Sequence, residues 1–387
     1  MRFLSENFVN NVEDFPIGII KHGIMCLDNG WIATHGILLR TGEQEYEAYW
    51  HAPFINYAHS LKPYDCELVD ITAQRYMFQM QGPRCLEILE QVTGDDLHDI
   101  EYRHFRQSSI DGHPVRILRF GMAGTLGYEI HGEIEHAREV FKKIAVVGNP
   151  MGRRLMGITS YAMTHIAGGF VQANRDFVSA GFADPGFMAY TQALGAGEGS
   201  YAAMKFEILG SAGPDMTKHF YNPIEIGLGR AINWKHEFRG KAALEEYKRN
   251  VVTLEWDPED IVDVYASQFR QDEEPYHPMD TPGGMASTTG HVMQYTDLVL
   301  NAEGEEIGLS MGRTQYHYGR VMLSSGSLDR EYRELGTEVF VLWGNPGTRQ
   351  KRIRAKVTPF PYRQENTNET FDVETIPHPV VRQAVLV

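Results

Sequence analysis

Six short segments with a strand-like pattern of apolar residues, in the last third of the chain, constrain its fold most. They lie at residues 251–256, 298–300, 306–311, 320–323, 338–343 and 352–357. Each is too short for a typical helix, and each is followed by polar or turn-forming residues. Short strands at such regular spacing are typical of an all-β barrel or sandwich. We therefore expect residues 251–387 to form a separate β domain.

The first two thirds of the chain mix strands and helices. Apolar runs at 16–25, 31–39 and 46–50, separated by turn residues, predict a three-strand meander. Further on, strands at 77–82, 115–120 and 128–131 and helices from Pro83 and over 133–145 predict a ferredoxin-like α+β unit. A chain of 387 residues also exceeds what one hydrophobic core usually supports, so two or three domains are expected.

Charge and cysteine content exclude several classes of function. The formal net charge of −15 opposes binding to nucleic acid or to anionic membranes. Three unpaired, widely spaced cysteines fit a reducing cytoplasm better than a disulfide framework. We expect no transmembrane helix and no signal peptide. The histidines form no H-E-x-x-H pattern, and a metal site is not expected.

Two motifs resemble those of a known superfamily. The sequence P-I-E-I-G-L-G at 223–229 is followed by F-R-G-K-A-A-L at 238–244, a combination similar to that of glycine-cleavage T proteins. The phrases F-Q-M-Q-G-P at 78–83 and G-M-A-G at 121–124 resemble the tetrahydrofolate-dependent aryl O-demethylases of this superfamily. The resemblance covers nearly the whole chain.

This resemblance implies an α+β, three-domain cloverleaf with ferredoxin-like units and a C-terminal β-barrel. Residues 1–65 and 150–250 would form a discontinuous folate-binding domain, with a lid insertion at about 174–219. Residues 66–149 would form the ferredoxin-like unit, and 251–387 the barrel. The chain begins at a point that matches the interior of the family's first domain. Three explanations stay open: the start is artificial, a partner fills the gap, or the active pocket is unusually open.

Three residues are expected at the cofactor. The resemblance places Glu129 at the family's pterin-binding glutamate, and one carboxylate can accept both the N–H and the amino group of a pterin edge. Gln79 matches a position near the folate, where its amide offers a donor and an acceptor. Phe170 stands where the demethylases carry a tryptophan against the folate.

Three further residues are expected at the reacting group. Tyr161 matches a demethylase tyrosine near the ether oxygen, which a hydroxyl can stabilise or protonate. His35 occupies the position of an aspartate near the folate nitrogens, where a histidine could relay a proton. His51 stands where the vanillate-type enzymes carry an arginine for the substrate carboxylate, although imidazole cannot form a bidentate pair.

The expected function is methyl transfer from a methoxylated aromatic acid to N5 of tetrahydrofolate. The alternatives are an aminomethyltransferase, another one-carbon transferase with a non-aromatic donor, and a folate-binding protein without turnover. The residue pattern decides neither the donor nor the oligomeric state, for which a homo-oligomer is one option.

Overall fold

A computed structural model of the protein describes residues 1–195, 203–247, 249–279 and 291–379. Its strands form three sheets, and each sheet packs on its own cluster of buried apolar side chains. Within the described residues, no helix has the length and apolar character that a bilayer crossing needs.

The first sheet is a three-strand antiparallel meander, as the sequence predicts. The elements of this part are α1 (Arg2–Asn7), β1 (Ile20–Cys26), β2 (Ile32–Arg40), β3 (Tyr46–Tyr49) and α2 (Phe54–Ser60). The central strand β2 is buried at all but its last position. A strand buried on both faces needs cover on both sides, and Phe8 and Phe187 belong to the cluster that supplies it on one side.

The second sheet is an α+β unit with four antiparallel strands in the order β4-β7-β6-β5. Its elements are β4 (Arg75–Gln81), α3 (Cys85–Thr93), β5 (Phe105–Ile110), β6 (His113–Leu118), β7 (Gly127–Glu133) and α4 (Ala137–Gly148). Leu89 of α3, Ile144 of α4 and Ile130 of β7 share one core, so both helices cover the same face. The expected α+β unit is confirmed, and β5 is an additional strand that the sequence pattern does not predict.

Two helices and one strand of the first part follow α4 in the chain, together with a short helix before the barrel. They are α5 (Ile158–Ala167), α6 (Pro185–Leu194), β8 (Lys205–Leu209) and α7 (Lys241–Glu245). The side chains of Phe177 and Phe187 are completely buried in this part of the molecule. These two aromatic residues of the predicted lid therefore belong to the core. Residues 196–202, also assigned to the lid, lie outside the described residues.

The third sheet is a closed six-stranded barrel. Its elements are β9 (Arg249–Trp256), α8 (Pro258–Ser267), β10 (His291–Leu300), β11 (Glu306–Tyr316), β12 (Val321–Asp329), β13 (Glu338–Trp343) and β14 (Lys351–Thr358). The order is β11-β12-β9-β14-β13-β10, and β10 also pairs with β11, which closes the ring. Buried and exposed positions alternate along β14, as expected when one face points into a barrel. All six predicted strands are confirmed, and β8 adds in parallel to β10.

The motif at 223–229 joins the first part of the molecule to the barrel. Glu225 is half-buried and accepts hydrogen bonds from the backbone N–H of Asn222 at 2.9 Å and from the Ser327 hydroxyl at 3.3 Å. Gly227 has a φ of 81°, and a Cβ there would lie 2.2 Å from Cε1 of Phe360. The glycine is therefore required both by its backbone conformation and by the close approach of the phenyl ring.

After the barrel the chain returns to the second sheet. Val373 and Ile376 bury their side chains in the core of that sheet. The Arg119 guanidinium donates to the carbonyl oxygens of Asn368 at 3.1 Å and Phe371 at 3.0 Å. This segment, residues 367–379, therefore ties the end of the described chain to the unit that carries β4 and β7.

Candidate active site

Two of the predicted cofactor residues lie side by side on the second sheet. Gln79 on β4 is the direct register partner of Glu129 on β7. Side chains at paired positions of neighbouring strands point to the same face, with Cβ atoms about 4.5–5.5 Å apart. The sheet thus places an amide and a carboxylate next to each other, a pair that can offer both donor and acceptor atoms to a ligand.

The carboxylate of Glu129 is buried but only partly satisfied by the protein. Its side chain is 4% exposed, and Oε2 accepts a hydrogen bond from Nε2 of His131 at 3.1 Å. In the described part of the chain, no donor reaches Oε1. A buried carboxylate is normally paired or hydrogen-bonded because desolvation of the charge is costly. Oε1 is therefore suited to receive donors from a ligand.

A tight turn holds two further predicted residues against each other. Helix α5 ends at Ala167, and Gly169 adopts a φ of 71°, which lets the Phe170 N–H donate to the carbonyl of His165 at 2.8 Å. The rings of His165 and Phe170 then meet edge to face at 5.5 Å. Tyr161, one turn before His165, contacts the same imidazole at 3.9 Å between ring centroids.

Contact between two glycines brings this turn to the second sheet. A Cβ on Gly168 would lie 2.7 Å from the backbone nitrogen of Gly124, in the loop that leads into β7. Such an approach is possible only without side chains. Phe170 and Tyr161 are thereby held near the strand that carries Glu129, and the structure brings four predicted site residues into one region.

The electrostatics around Tyr161 support this proximity. Burial raises the pKa of Tyr161 to about 12, and the carboxylates of Asp176 and Glu129 act in the same direction. The hydroxyl donates to Oε1 of Gln172 at 3.2 Å. The Arg175 guanidinium lies 5.9 Å above the ring and forms an ion pair with Asp176 at 2.5 Å. Tyr161 is therefore a neutral hydroxyl at physiological pH, with its nearest cation already paired.

His35 lies beside this region, with both ring nitrogens in use. Its Nε2 accepts a hydrogen bond from the backbone N–H of Ala173 at 3.1 Å, and its Nδ1 lies 2.8 Å from Nε2 of His22. Burial lowers the pKa of His35 to about 3 and holds that of His22 well below its usual range. Both rings are neutral near pH 7, and the ring of His22 stacks on Phe170 at 5.2 Å.

His51 is held inside the protein by contacts with the first sheet and with Phe8. Its side chain is fully buried, its Nε2 donates to the carbonyl of Gly23 at 3.1 Å, and its ring packs on Phe8. Burial lowers the pKa of His51 to about 4. In this arrangement His51 presents no charge to a substrate.

Two residues of the region were not singled out in the sequence. His22 lies in the sequence I-K-H-G-I, which contains no motif. Its place in this region follows only from its position diagonally opposite His35 on the paired strands β1 and β2. Asn368 belongs to the segment after the barrel. Its Nδ2 donates to the carbonyl of Gly127 at 2.9 Å, whereas its Oδ1 is buried without a partner in the described chain. The same Nδ2 lies 3.7 Å from the Cβ position of Gly121, beside Gln79.

One group of potential metal ligands occurs within the described residues, at Asp96, His98 and His378. Its histidines are held by hydrogen bonds instead. His98 donates from Nδ1 to Glu90 at 2.7 Å and from Nε2 to the carbonyl of Ile376 at 3.0 Å. Both nitrogens of His98 are thus engaged by the protein, one by a carboxylate and one by a backbone carbonyl. The group fastens the C-terminal segment to the second sheet.

Comparison with known proteins identifies a family and several relatives. Residues 1–180 match the family model described as the GCVT N-terminal domain. A sesamin methylene transferase from Sinomonas sp. (strain No.22) is 38% identical over 98% of this chain and 85% of its own length. A syringate O-demethylase from Sphingobium sp. (strain NBRC 103272 / SYK-6) is 28% identical over 93% of this chain and 81% of its own length.

The fold is shared with a solved structure. Glycine cleavage system aminomethyltransferase T from Bartonella henselae superposes with a TM-score of 0.63, at 16% identity, over 95% of this chain and 82% of that one. The cloverleaf arrangement of α+β units and a C-terminal barrel is therefore confirmed. From the identity with the sesamin enzyme over almost the whole chain, and from the match to the family model, we conclude that the chain belongs to the glycine-cleavage T-protein (GcvT) family of one-carbon transferases.

Proposed function

We propose that the protein transfers a one-carbon unit from an aromatic ether to tetrahydrofolate. The observation that carries the proposal is the buried carboxylate of Glu129, directly beside Gln79, whose Oε1 meets no donor among the residues that the structure describes. A reduced pterin offers an N–H and an amino group side by side, and a carboxylate can accept both in a charge-assisted pair. The cytoplasm is the proposed compartment, since tetrahydrofolate and the free thiols of the chain stay reduced there.

Phe170 is the proposed packing surface for the pterin. It is half-buried, and its ring is held from two sides by His165 and His22. A ring fixed in this way gives a flat apolar face without loss of side-chain freedom on binding. Glu129 and Gln79 would then orient the pterin edge, while Phe170 sets its plane.

The donor is proposed to be an aromatic ether. The two similar proteins are named for methylene transfer from sesamin and for O-demethylation of syringate, so their reactions differ in whether a methylene or a methyl group leaves. His51 is buried and neutral, and the guanidinium beside Tyr161 is paired with Asp176. These contacts favour a donor without a carboxylate, for example a methylenedioxyarene, over the methoxylated aromatic acid that the sequence alone suggests.

Both reactions balance without a further reactant. In methyl transfer the ether C–O bond breaks, a bond to N5 forms, and the N5 proton neutralises the phenolate. In methylene transfer from a methylenedioxyarene, two C–O bonds break, N5 and N10 each form a bond to the carbon, and two protons yield a catechol. Alignment of the nitrogen, carbon and oxygen atoms can supply roughly 7–11 kcal/mol of the barrier. The Tyr161 hydroxyl, which rotates freely, would turn from Gln172 to the departing oxygen.

Single-turnover assays would test the function. The protein is mixed under anaerobic conditions with tetrahydrofolate and one donor at a time: 1,3-benzodioxole derivatives, neutral methoxybenzenes, or methoxylated benzoates such as syringate. We expect 5,10-methylenetetrahydrofolate from the first donors or 5-methyltetrahydrofolate from the others. Binding of tetrahydrofolate without either product would contradict the enzyme proposal and favour a folate-binding role. Product formed only from a carboxylated donor would contradict the preference for neutral ethers.

A further inference from the structure

The hydrogen bonds of His35 fix its tautomer. Its Nε2 faces the backbone N–H of Ala173 at 3.1 Å and must therefore be an acceptor without a proton. A neutral imidazole carries its proton on the other nitrogen, so Nδ1 of His35 is the donor. This Nδ1 lies 2.8 Å from Nε2 of His22, which must accept. The backbone amide of Ala173, which cannot give up its proton, thus sets the direction of the hydrogen bond between His35 and His22.

The same reasoning fixes His22. Because its Nε2 accepts a hydrogen bond, neutral His22 carries its proton on Nδ1. In the part of the chain that the structure describes, no acceptor lies within hydrogen-bond distance of this N–H. The side chain is partly accessible, whereas His35 is buried. The His22 ring stacks on Phe170 at 5.2 Å, on the same region as the proposed pterin surface.

We propose that His22 binds the departing oxygen of the donor through its Nδ1–H, and that Ala173 and His35 act as positioning groups that keep this nitrogen a donor. The inference rests on the proposed transfer from an aromatic ether. An aspartate at position 35 would present an acceptor to the site, whereas the histidine pair presents a donor. A donor aimed at developing negative charge stabilises the transition state more than the ground state.

The step is the same for each C–O bond that breaks. The electron pair of that bond stays on the oxygen as carbon bonds to the folate nitrogen, and negative charge develops on the oxygen. His22 donates a hydrogen bond to this oxygen and keeps its own proton. The proton released by the folate nitrogen finally neutralises the phenolate. A neutral imidazole suits this role because it stabilises the oxyanion without protonating the folate nitrogen that must attack.

A series of donors with different leaving groups tests the role. His22→Leu removes the N–H, and His22→Asn restores a donor near the position of Nδ1. We expect His22→Leu to lower the single-turnover rate about 10²-fold for ethers of unsubstituted phenols or catechols, the usual effect of one lost oxyanion donor. With nitro-substituted donors, whose leaving oxygen needs less help, the loss should be much smaller. His22→Asn should recover much of the lost rate.

A uniform loss across the series would overturn the proposal, because a merely structural defect would not depend on the leaving group. Turnover by no donor in the wild type would instead contradict the proposed function. A second measurement does not depend on any variant's activity. In protein labelled with ¹⁵N-histidine, the resonances that vanish in His22→Asn belong to His22. We expect them to report the Nδ1–H tautomer near neutral pH, and the Nε2–H tautomer would overturn the inference.

Discussion

Gly124 and Gly168 approach each other so closely that a Cβ on Gly124 would lie 2.4 Å from Cα of Gly168. One glycine precedes the strand that carries Glu129, and the other ends the helix that carries Tyr161. The distance between the proposed pterin site and the proposed reacting site is therefore set by backbone contact. This spacing is specified by the absence of a side chain at both glycines, and not by strand or helix propensity.

Gly168→Ala is expected to push the helix that carries Tyr161 away from the strand that carries Glu129. Its φ of −82° is accessible to alanine, so the effect would be steric, with the new Cβ 2.7 Å from the nitrogen of Gly124. Overpacking of this kind typically costs about 1–3 kcal/mol of folding stability. We expect a lower thermal midpoint, weaker tetrahydrofolate binding and slower transfer, measured by melting, titration and single turnover.

Gly157→Ala is the matched control for this variant. Gly157 lies at the other end of the same helix, and its φ of −84° also suits alanine. Apart from its chain neighbours, no described atom lies within 4 Å of its Cβ position. It should leave affinity and rate unchanged. Equal losses in both variants would show that the helix, and not its contact with Gly124, controls the site.

Glu129→Gln is expected to abolish tight folate binding without loss of stability. The glutamine keeps the shape of the side chain but removes the buried charge, whose Oε2 has His131 as its partner. Hydrogen bonds to a charged group are worth about 1.5–3 kcal/mol each, so the Kd for tetrahydrofolate should rise about 10- to 100-fold or more. The thermal midpoint without ligand should stay the same or rise, because the protein no longer buries a partly satisfied carboxylate.

Glu135→Gln provides the control, since Glu135 lies just after the same strand with a largely exposed side chain. An unchanged Kd in Glu129→Gln would remove the central cofactor assignment. A Kd changed equally in both variants would point to a general loss of negative charge.

The sequence predicts the sheets well and the site only in part. Alternation along β14 and the apolar runs of the barrel depend on local pattern, which a single strand carries by itself. Glu129, Gln79, Tyr161 and Phe170 were named through resemblance, and the structure gathers them into one region. The residues next to His51 in sequence do not predict where its side chain points. That depends on its contact with the carbonyl of Gly23, which is 28 residues away in sequence.

His22 shows the converse: a residue can belong to the site although no sequence motif marks it. Its role in the region depends on a diagonal contact between β1 and β2 and on the backbone amide of Ala173, which is 138 residues from His35 in sequence. No spacing rule connects these groups. Asn368 is similar, because the segment after the barrel returns 241 residues along the chain to reach Gly127. Non-local polar contacts of this kind require the fold before they can be recognised.

Asn368→Ala is expected to weaken tetrahydrofolate binding. Its Oδ1 is buried without a partner in the described chain, while its Nδ2 donates to Gly127 and lies close to Gly121. Unsatisfied buried acceptors are rare and costly, so an N–H of the ligand is the expected partner. The Kd should rise about 10-fold, as for one neutral hydrogen bond of about 1.5 kcal/mol. Glu369→Ala, at an exposed neighbouring position, should not change it. A Kd equal to that of the wild type would remove Asn368 from the site.

Tyr161→Phe is expected to lower the transfer rate and to leave the affinity for tetrahydrofolate unchanged. The phenyl ring preserves the contact with His165, and only the hydroxyl is lost. Because burial raises the pKa of Tyr161 to about 12, the hydroxyl acts as a neutral donor and the rate of the wild type should show no tyrosine ionisation near neutral pH. Help from such a group is typically worth about 10²–10⁴-fold in rate. An equal change in affinity and rate would instead indicate a packing role.

His51→Gln is expected to make the protein less sensitive to acid. Burial lowers the pKa of His51 to about 4, below its value of about 6.5 in the unfolded chain. The stability that this neutral histidine contributes is thus fully present above about pH 6.5 and is lost as the pH falls towards about 4, because the unfolded chain takes up the proton first. At about pH 5 the loss amounts to about 2 kcal/mol relative to about pH 7.5. Glutamine can still donate to the carbonyl of Gly23 but does not titrate. Melting curves at the two pH values should therefore show that the thermal midpoint of the variant falls less in acid than that of the wild type. Equal falls in both proteins would contradict the buried, neutral state of His51.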